Sequence, residues 1–294
     1  MSSTIALDVD AARLAELERI YARALAEKRA RGALLGVALA IAIGLSAVMG
    51  EVDIPKFVDN APRLGSYVRE LIPAIGIRTF PADIAEWFWG FPKWLGLLLD
   101  TVLIAYLGTL CGAIGGFCLC FAASANLVRP AWLRILARRV LELARTVPEI
   151  VYALIFVVAF GLGPLPGMMA IAIHTFGALG KLFAEANENL DLKPFEAAHA
   201  VGATWVQAIR FAILPQVLPN YASYSLLRFE INVRSAAVLG FVGAGGIGHD
   251  LLTAIRSFYY LDVSAILIMI LVTVAVIDVV TEKIRYRLIG VERS

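Results

Sequence analysis

Apolar residues gather into long runs along this chain, separated by polar stretches. The runs lie at 32–49, 95–123, 141–161, 167–184, 217–242 and 262–280. Each is close to the length of about 20 residues that an α-helix needs to cross a hydrocarbon core of about 30 Å. The pattern therefore predicts an all-α integral membrane protein with about six transmembrane helices.

The longer polar stretches occupy residues 1–32, 50–94 and 185–216. Charges alternate with Leu, Ile and Ala at helical spacing over 10–31, which predicts an amphipathic helix at the membrane surface, although a plain solvated helix fits the same pattern. The stretch 50–94 contains several prolines and ends in a group of aromatic residues typical of a membrane interface. We expect one transmembrane domain over 1–294.

Composition supports a membrane protein. The chain is 60% hydrophobic and only 17% charged, and its mean hydropathy is +0.78, which lies outside the range of ordinary soluble domains. The formal net charge of +2 is too small to indicate a nucleic-acid partner.

Basic residues near the ends of the apolar runs predict the orientation of the chain. They precede the first run, separate the second from the third and follow the sixth, and they include Arg23, Lys28, Arg29, Arg31, Arg129, Arg134, Arg138, Arg139, Lys283, Arg285 and Arg287. With six spans, these segments all fall on one side. Both termini and 185–216 are therefore predicted to be cytoplasmic, and 50–94 periplasmic.

A short helix with clear start and stop signals is predicted within 185–216. Pro194 suits the first helical position, Glu196 favours the positive N-terminal end, and Gly202 suits the left-handed position after the last turn. The small side chains of Ala197 and Ala198 would let this helix enter a groove on a partner. An ordinary surface helix fits the composition equally well.

Polar residues interrupt the run 217–242, and helical spacing places them on two faces. One stripe contains Tyr221, Ser225, Arg228, Asn232 and Ser235. Glu230 and Arg234 lie on nearly the opposite face, four residues apart, where they can pair. A charge at the bilayer centre costs at least about 2.5 kcal/mol and usually faces a bundle interior or an aqueous path. We predict that the stripe lines a translocation path in which Arg228 attracts an anion. Arg234 on the other face is a second candidate for contact with the substrate, and helix packing is the alternative for both faces.

Two groups of glycines stand out. Gly108, Gly112 and Gly116 recur every four residues, which predicts close helix packing. Gly243, Gly245, Gly246 and Gly248 belong to a literal GxGxxG sequence. A dinucleotide site would need a preceding strand and a surrounding βαβ unit, which the pattern does not predict. We therefore interpret the second group as a hinge that breaks the fifth span where backbone lines a cavity.

Candidate catalytic and metal-binding residues are lacking. His174 lies within the fourth run, with Lys181 two turns further along the same face, and is expected to be a helix-packing hydrogen bonder. The three histidines, His174, His199 and His249, are far apart and predict no metal site. No nucleophile elbow is present, so we expect no catalysis by this chain.

The residues Glu196-Ala197-Ala198, Gly202 and Leu214-Pro215 resemble the EAA loop of binding-protein-dependent ABC importer permeases. Ala212 stands where that family commonly has an aliphatic residue. The resemblance implies that 194–202 is a coupling helix that docks into a cytoplasmic ATPase.

Residues 228–236 and 242–248 resemble the signature of phosphonate importer permeases, and the likeness extends from about residue 80 to near the end. Methionine importer permeases share the glycine-rich part. The likeness implies a type I importer permease in the bacterial inner membrane that carries phosphonate or a related phosphorus oxyanion.

The partners implied by this resemblance are a second copy of the chain, two cytoplasmic ABC ATPases and a periplasmic or surface-tethered substrate-binding protein. ATP and Mg would be bound by the ATPases, and this chain would bind no cofactor. One alternative is an ion-coupled secondary anion transporter, which would often show two similar halves. The others are a permease for another solute such as methionine and a membrane oxidoreductase that uses the GxGxxG sequence.

Overall fold

The computed structural model describes residues 11–290, which contain helices and no strand. The first ten residues of the predicted segment 1–32, and residues 291–294, lie outside the described part of the chain. The helices are α1 (Ala11–Met49), α2 (Ile54–Glu70), α3 (Phe80–Trp87), α4 (Phe91–Ala123), α5 (Ala131–Thr146), α6 (Glu149–Phe160), α7 (Pro164–Glu188), α8 (Lys193–Ala200), α9 (Trp205–Ala208), α10 (Leu214–Leu239), α11 (Ile247–Arg256) and α12 (Tyr260–Ile289). A π-helical turn (Ile209–Ile213) joins α9 to α10, and a 3₁₀ turn (Gly240–Val242) follows α10.

Contacts divide the chain into two compact units, one ending at Ser66 and the other beginning at Tyr67, where the sequence predicted one domain. In the first unit, α1 is one continuous helix, without the predicted boundary between a surface helix and a span at Gly32. Strong helix formers flank this glycine, and one exposed glycine costs a helix only about 1 kcal/mol. The apolar part of α1 buries none of its side chains within the chain.

Six membrane spans are compatible with the helices. Four of them, α1, α4, α7 and α12, are long and apolar enough to cross a bilayer. Two bent stretches complete the set: α5 with α6, bent by 82°, and Trp205–Val242 with α11, bent by 49°. The predicted number of six is reached when each bent stretch counts as one span.

The third predicted span, 141–161, is broken, which corrects the prediction of one straight helix. The helix α5 ends at Thr146 and α6 begins at Glu149. Pro148 has no N–H to donate, and its ring disfavours helical geometry at Val147, which is extended with φ −76° and ψ 126°. Glu149 therefore opens a new helix within an apolar region.

The helix α4 packs closely against α7 at the first glycine group. A Cβ atom on Gly108 would lie 2.7 Å from Cγ2 of Ile171, and one on Gly116 would lie 2.8 Å from the backbone nitrogen of Gly180. No side chain fits at these distances, so glycine permits the backbones to approach.

The aromatic end of the segment 50–94 packs against the beginning of α12. Trp87 donates from Nε1 to Oγ of Ser264 over 3.0 Å, and Trp89 donates to Oδ1 of Asp262 over 2.9 Å. These contacts attach the chain between α3 and α4 to the last span.

Asp83 organises the turn before α3. Its carboxylate accepts hydrogen bonds from the backbone N–H of Gly76 at 2.8 Å and from the hydroxyl of Thr79 at 2.7 Å. These two donors stabilise the charged form and hold the pKa of Asp83 below its ordinary value.

Candidate functional site

The predicted short helix is present as α8, with the expected signals at its two ends. Pro194 occupies the first turn, and the helix stops before Gly202, whose φ of +88° is left-handed. The N–H of Gly202 donates to the carbonyl of His199 over 3.0 Å. Glu196 is exposed at the first turn, and no side chain of α8 is fully buried. The helix therefore presents a polar and small-residue surface to its surroundings.

A continuous path of packing joins α8 to α10. Phe195 of α8 packs against the apolar cluster that contains Ile213 and Val217. Leu214 and Pro215, the second half of the predicted motif, form the first turn of α10. The π-helical turn between α9 and α10 adds an extra residue to one turn, a feature frequent at functional sites. Displacement of α8 would thus be transmitted to the base of α10.

Arg228 is paired within the protein. Its Nη2 atom lies 2.8 Å from Oε1 of Glu149, and Nδ1 of His174 lies 2.9 Å from the same oxygen. Arg228 and His174 also contact each other. We refer to Glu149, His174 and Arg228 as the charge cluster. It joins α6, α7 and α10, and the side chains are only 12% to 19% exposed.

Sequence reasoning missed Glu149. The signal was available, because this carboxylate directly follows Pro148 inside an apolar run. Its partner Arg228 lies 79 residues away, so pattern alone did not connect them. His174 contacts Glu149 and Arg228 on two neighbouring helices, as expected for a residue that forms hydrogen bonds between packed helices.

The environment of Asn232 differs from that predicted for a residue that lines the translocation path. It is fully buried and donates from Nδ2 to the hydroxyls of Thr109 at 2.8 Å and Thr175 at 2.9 Å. Its side chain thus links α10 to α4 and α7 in this structure, because a buried amide requires hydrogen-bond partners. Ser225 and Ser235 are half-buried, and Ser235 lies beside the carboxylate of Glu149.

Glu230 and Arg234 lie close together on the other face of α10. Arg234 lies 3.0 Å from Glu230, and Arg285 of α12 approaches the other carboxylate oxygen at 3.8 Å. The side chain of Arg234 is 51% exposed, whereas that of Glu230 is 13% exposed. Glu230 therefore connects two helices, and Arg234 retains an accessible cationic side.

Three of the four glycines in the second group have positive φ angles, which favour glycine. The φ angles are +82° at Gly243, +84° at Gly245 and +79° at Gly246. Gly248 is different, and its assignment to the hinge is corrected. It lies within α11, and a Cβ there would fall 1.9 Å from the carbonyl oxygen of Ala237. Gly248 is thus a packing position.

The surroundings of this glycine segment contain neither a nucleotide fold nor a metal site. No strand occurs among residues 11–290, so the βαβ unit of a dinucleotide site is missing from that part. Across the same residues, no three His, Cys, Asp or Glu side chains are grouped to hold a metal ion.

Comparisons with known proteins agree on one family. The model for the binding-protein-dependent transport system inner membrane component matches residues 108–289. The chain is 36% identical over 230 residues to the phosphite transport system permease protein PtxC of Stutzerimonas stutzeri, covering 78% of this chain and 79% of that one. It is 39% identical over 204 residues to the phosphate-import permease protein PhnE of Mycolicibacterium smegmatis, covering 69% of this chain and 38% of the other.

A solved structure shows the same fold. The MetNI methionine ABC transporter in an inward-facing conformation superposes with a TM-score of 0.58 at 19% identity, covering 68% of this chain and 96% of the other. The family match over 108–289 and the 36% identity to PtxC show that the chain belongs to the binding-protein-dependent transport system inner membrane components, a family of multi-pass permeases of ABC importers.

Proposed function

We propose that this permease imports a phosphorus oxyanion such as phosphonate or phosphite, driven by ATP hydrolysis on two cytoplasmic ATPase subunits. Two copies of the chain would form the translocation path, and a substrate-binding protein would deliver the ligand. The chain itself would bind no cofactor, because ATP and Mg belong to the ATPases. Membership of the family argues against the ion-coupled secondary transporter that the sequence left open.

The observation that carries this proposal is the geometry of α8. None of its side chains is buried, yet Phe195 attaches it to the cluster beneath α10. A helix exposed on one side and attached on the other suits the transfer of movement from a docked partner. The exposed Val201, at 86%, adds an apolar contact surface beside Gly202.

The proposed cycle has two packings of the membrane helices. ATP binding would close the ATPases, shift α8 and move α10 through the π-helical turn. A partner of this kind shifts the equilibrium only by its difference in affinity for the two packings. The two breaks in the helices, at Val147–Pro148 and at Gly243–Gly246, are suitable places for the bending, since hinges are short segments that absorb backbone changes.

The substrate class rests on the relatives together with the charge of the site. The two sequence relatives described above are named for phosphite and phosphate, whereas the methionine transporter resembles this chain at low identity. Arg228 and His174 supply groups that suit an anion. These observations favour an oxyanion over methionine.

ATP hydrolysis in lipid discs tests the proposal. The permease is co-expressed with a candidate ABC ATPase from the same organism. A candidate binding protein is added with methylphosphonate, phosphite, phosphate or methionine. We expect stimulation by phosphorus oxyanions and none by methionine. Stimulation by methionine alone would contradict the substrate class, and failure of any ATPase to associate would contradict the assembly.

A further inference from the structure

The charge cluster has the components of an anion site, but the anion in it belongs to the protein. Oε1 of Glu149 lies 2.8 Å from Nη2 of Arg228 and 2.9 Å from Nδ1 of His174. We propose that Glu149 closes an oxyanion site formed by Arg228 and His174, and that the transported phosphorus oxyanion displaces this carboxylate during passage. This inference rests on the proposed function and adds the residues that would recognise the substrate.

Glu149 uses the available donors incompletely. Arg228 and His174 both contact one carboxylate oxygen of Glu149, and Ser235 lies beside the same carboxylate. The buried Nε of Arg228 has no hydrogen-bond partner within residues 11–290. A guanidinium group offers five N–H donors in a planar fork. A phosphorus oxyanion carries several oxygens on one atom and can accept two parallel hydrogen bonds from that fork. A phosphorus oxyanion could therefore accept more of the hydrogen bonds that the site offers than the carboxylate of Glu149 does.

The location permits an exchange of anions. Glu149 is the first residue of α6, directly after the break that separates α6 from α5, whereas Arg228 belongs to α10. Bending at Val147–Pro148 would move the carboxylate relative to the guanidinium. Glu149 also lies in the first turn of α6, at the positive end of the helix dipole, which favours an anion there.

The carboxylate has a physical reason to occupy the site between substrates. An unpaired arginine inside a membrane protein is costly, and removal of one partner from a buried pair leaves that cost uncompensated. Glu149 would neutralise Arg228 when no substrate is present. The incoming anion would take over this neutralisation, so the site would never contain a bare cation.

The chain offers a matched control on α10. Glu230 pairs with Arg234 at 3.0 Å, and the carboxylate is 13% exposed, close to the 12% of Glu149. Arg234 is half exposed and lies four residues from its partner on the same helix, so this pair is not positioned by a helix break. Neutralising Glu230 removes the same charge from the same protein without opening the charge cluster.

The test measures binding of radiolabelled inorganic phosphate to the assembled transporter in lipid discs, without binding protein or ATP. Glu149→Gln keeps the shape of the side chain and removes the competing charge. We expect its affinity for phosphate to be at least about tenfold higher than that of the unaltered transporter, since the site no longer has to be vacated. Glu230→Gln should leave the affinity unchanged, and Glu149→Gln combined with Arg228→Gln should abolish the gain.

Two further measurements keep the outcomes distinct. Glu149→Asp shortens the side chain by one methylene, so an intermediate gain in phosphate affinity is expected even if Glu149→Gln does not assemble. Equal phosphate affinity of the unaltered transporter and of every assembled variant at this position would overturn the inference. Stimulation of ATP hydrolysis by the loaded binding protein is measured on the unaltered complex. Absence of this stimulation would refute the proposed function and not the anion exchange.

Discussion

Replacing Gly112 by alanine tests whether α4 and α7 are held at their observed separation by the absence of a side chain. The added Cβ would lie 2.7 Å from Cβ of Thr175, 2.8 Å from the carbonyl oxygen of Ala172 and 2.9 Å from the nitrogen of Phe176. Optimal contacts between carbon atoms are about 3.5–4.0 Å, so the helices would have to separate by several tenths of an ångström or more. Two of these atoms are backbone, and rotation of a side chain does not remove the clash.

The cost follows from this overpacking. Extra methyl groups in a packed interior typically destabilise by about 1–3 kcal/mol, and we expect Gly112→Ala to fall in this range. Gly96→Ala, on the same helix, is the control because no atom lies within 4 Å of its added Cβ. That variant should gain about 0.5–1 kcal/mol, since alanine loses less backbone freedom than glycine in a helix.

Unfolding in mixed micelles with increasing dodecyl sulfate, followed by circular dichroism, measures both effects. The unfolding midpoint should move to a lower dodecyl sulfate concentration for Gly112→Ala. For Gly96→Ala it should stay unchanged or move to a higher concentration. If both variants were equally stable, or if Gly112→Ala were the more stable one, close α4–α7 packing would not be the reason for this glycine.

Three other changes test separate parts of the structure. Gly202→Leu forces a branched residue into a left-handed position at a strain of about 1–2 kcal/mol, so it should lower the ATP hydrolysis that the binding protein stimulates. Asparagine tolerates that position, so Gly202→Asn should retain most of the stimulated ATP hydrolysis. Asn232→Leu removes the hydrogen bonds to Thr109 and Thr175 and should lower stability in micelles by about 1 kcal/mol; unchanged stability would contradict the packing role. The pKa of Asp83 is lowered by a backbone N–H and a hydroxyl, so its contribution to stability is present above the ordinary aspartate value of 3.8 and is lost as the pH falls through the lower folded value. Titration of the labelled carboxyl by NMR measures this, and a folded pKa at or above 3.8 would contradict it.

Signals within a few neighbouring residues were sufficient to predict those features that depend on neighbouring residues alone. The proline and glycine at the ends of α8, and the four-residue glycine spacing on α4, have the structural consequences predicted for them. The apolar segments that make up four straight candidate spans and two bent ones follow from hydropathy, because a bilayer demands a minimum length of apolar helix. The pairing of Glu230 with Arg234 likewise follows from a separation of four residues on one helix.

The tertiary structure decided which polar groups meet across helices. Glu149 and Arg228 are 79 residues apart, and Asn232 contacts threonines on two other helices. Periodicity assigns such residues to a face, but it does not specify which neighbour that face contacts. The break before Glu149 also brings its carboxylate to the others, and a straight third span would place it elsewhere. Sequence alone therefore determined the apolar segments, the membrane location and the local motif that forms α8, but our prediction missed the break before Glu149. The charge cluster arose only when packing brought three distant segments together.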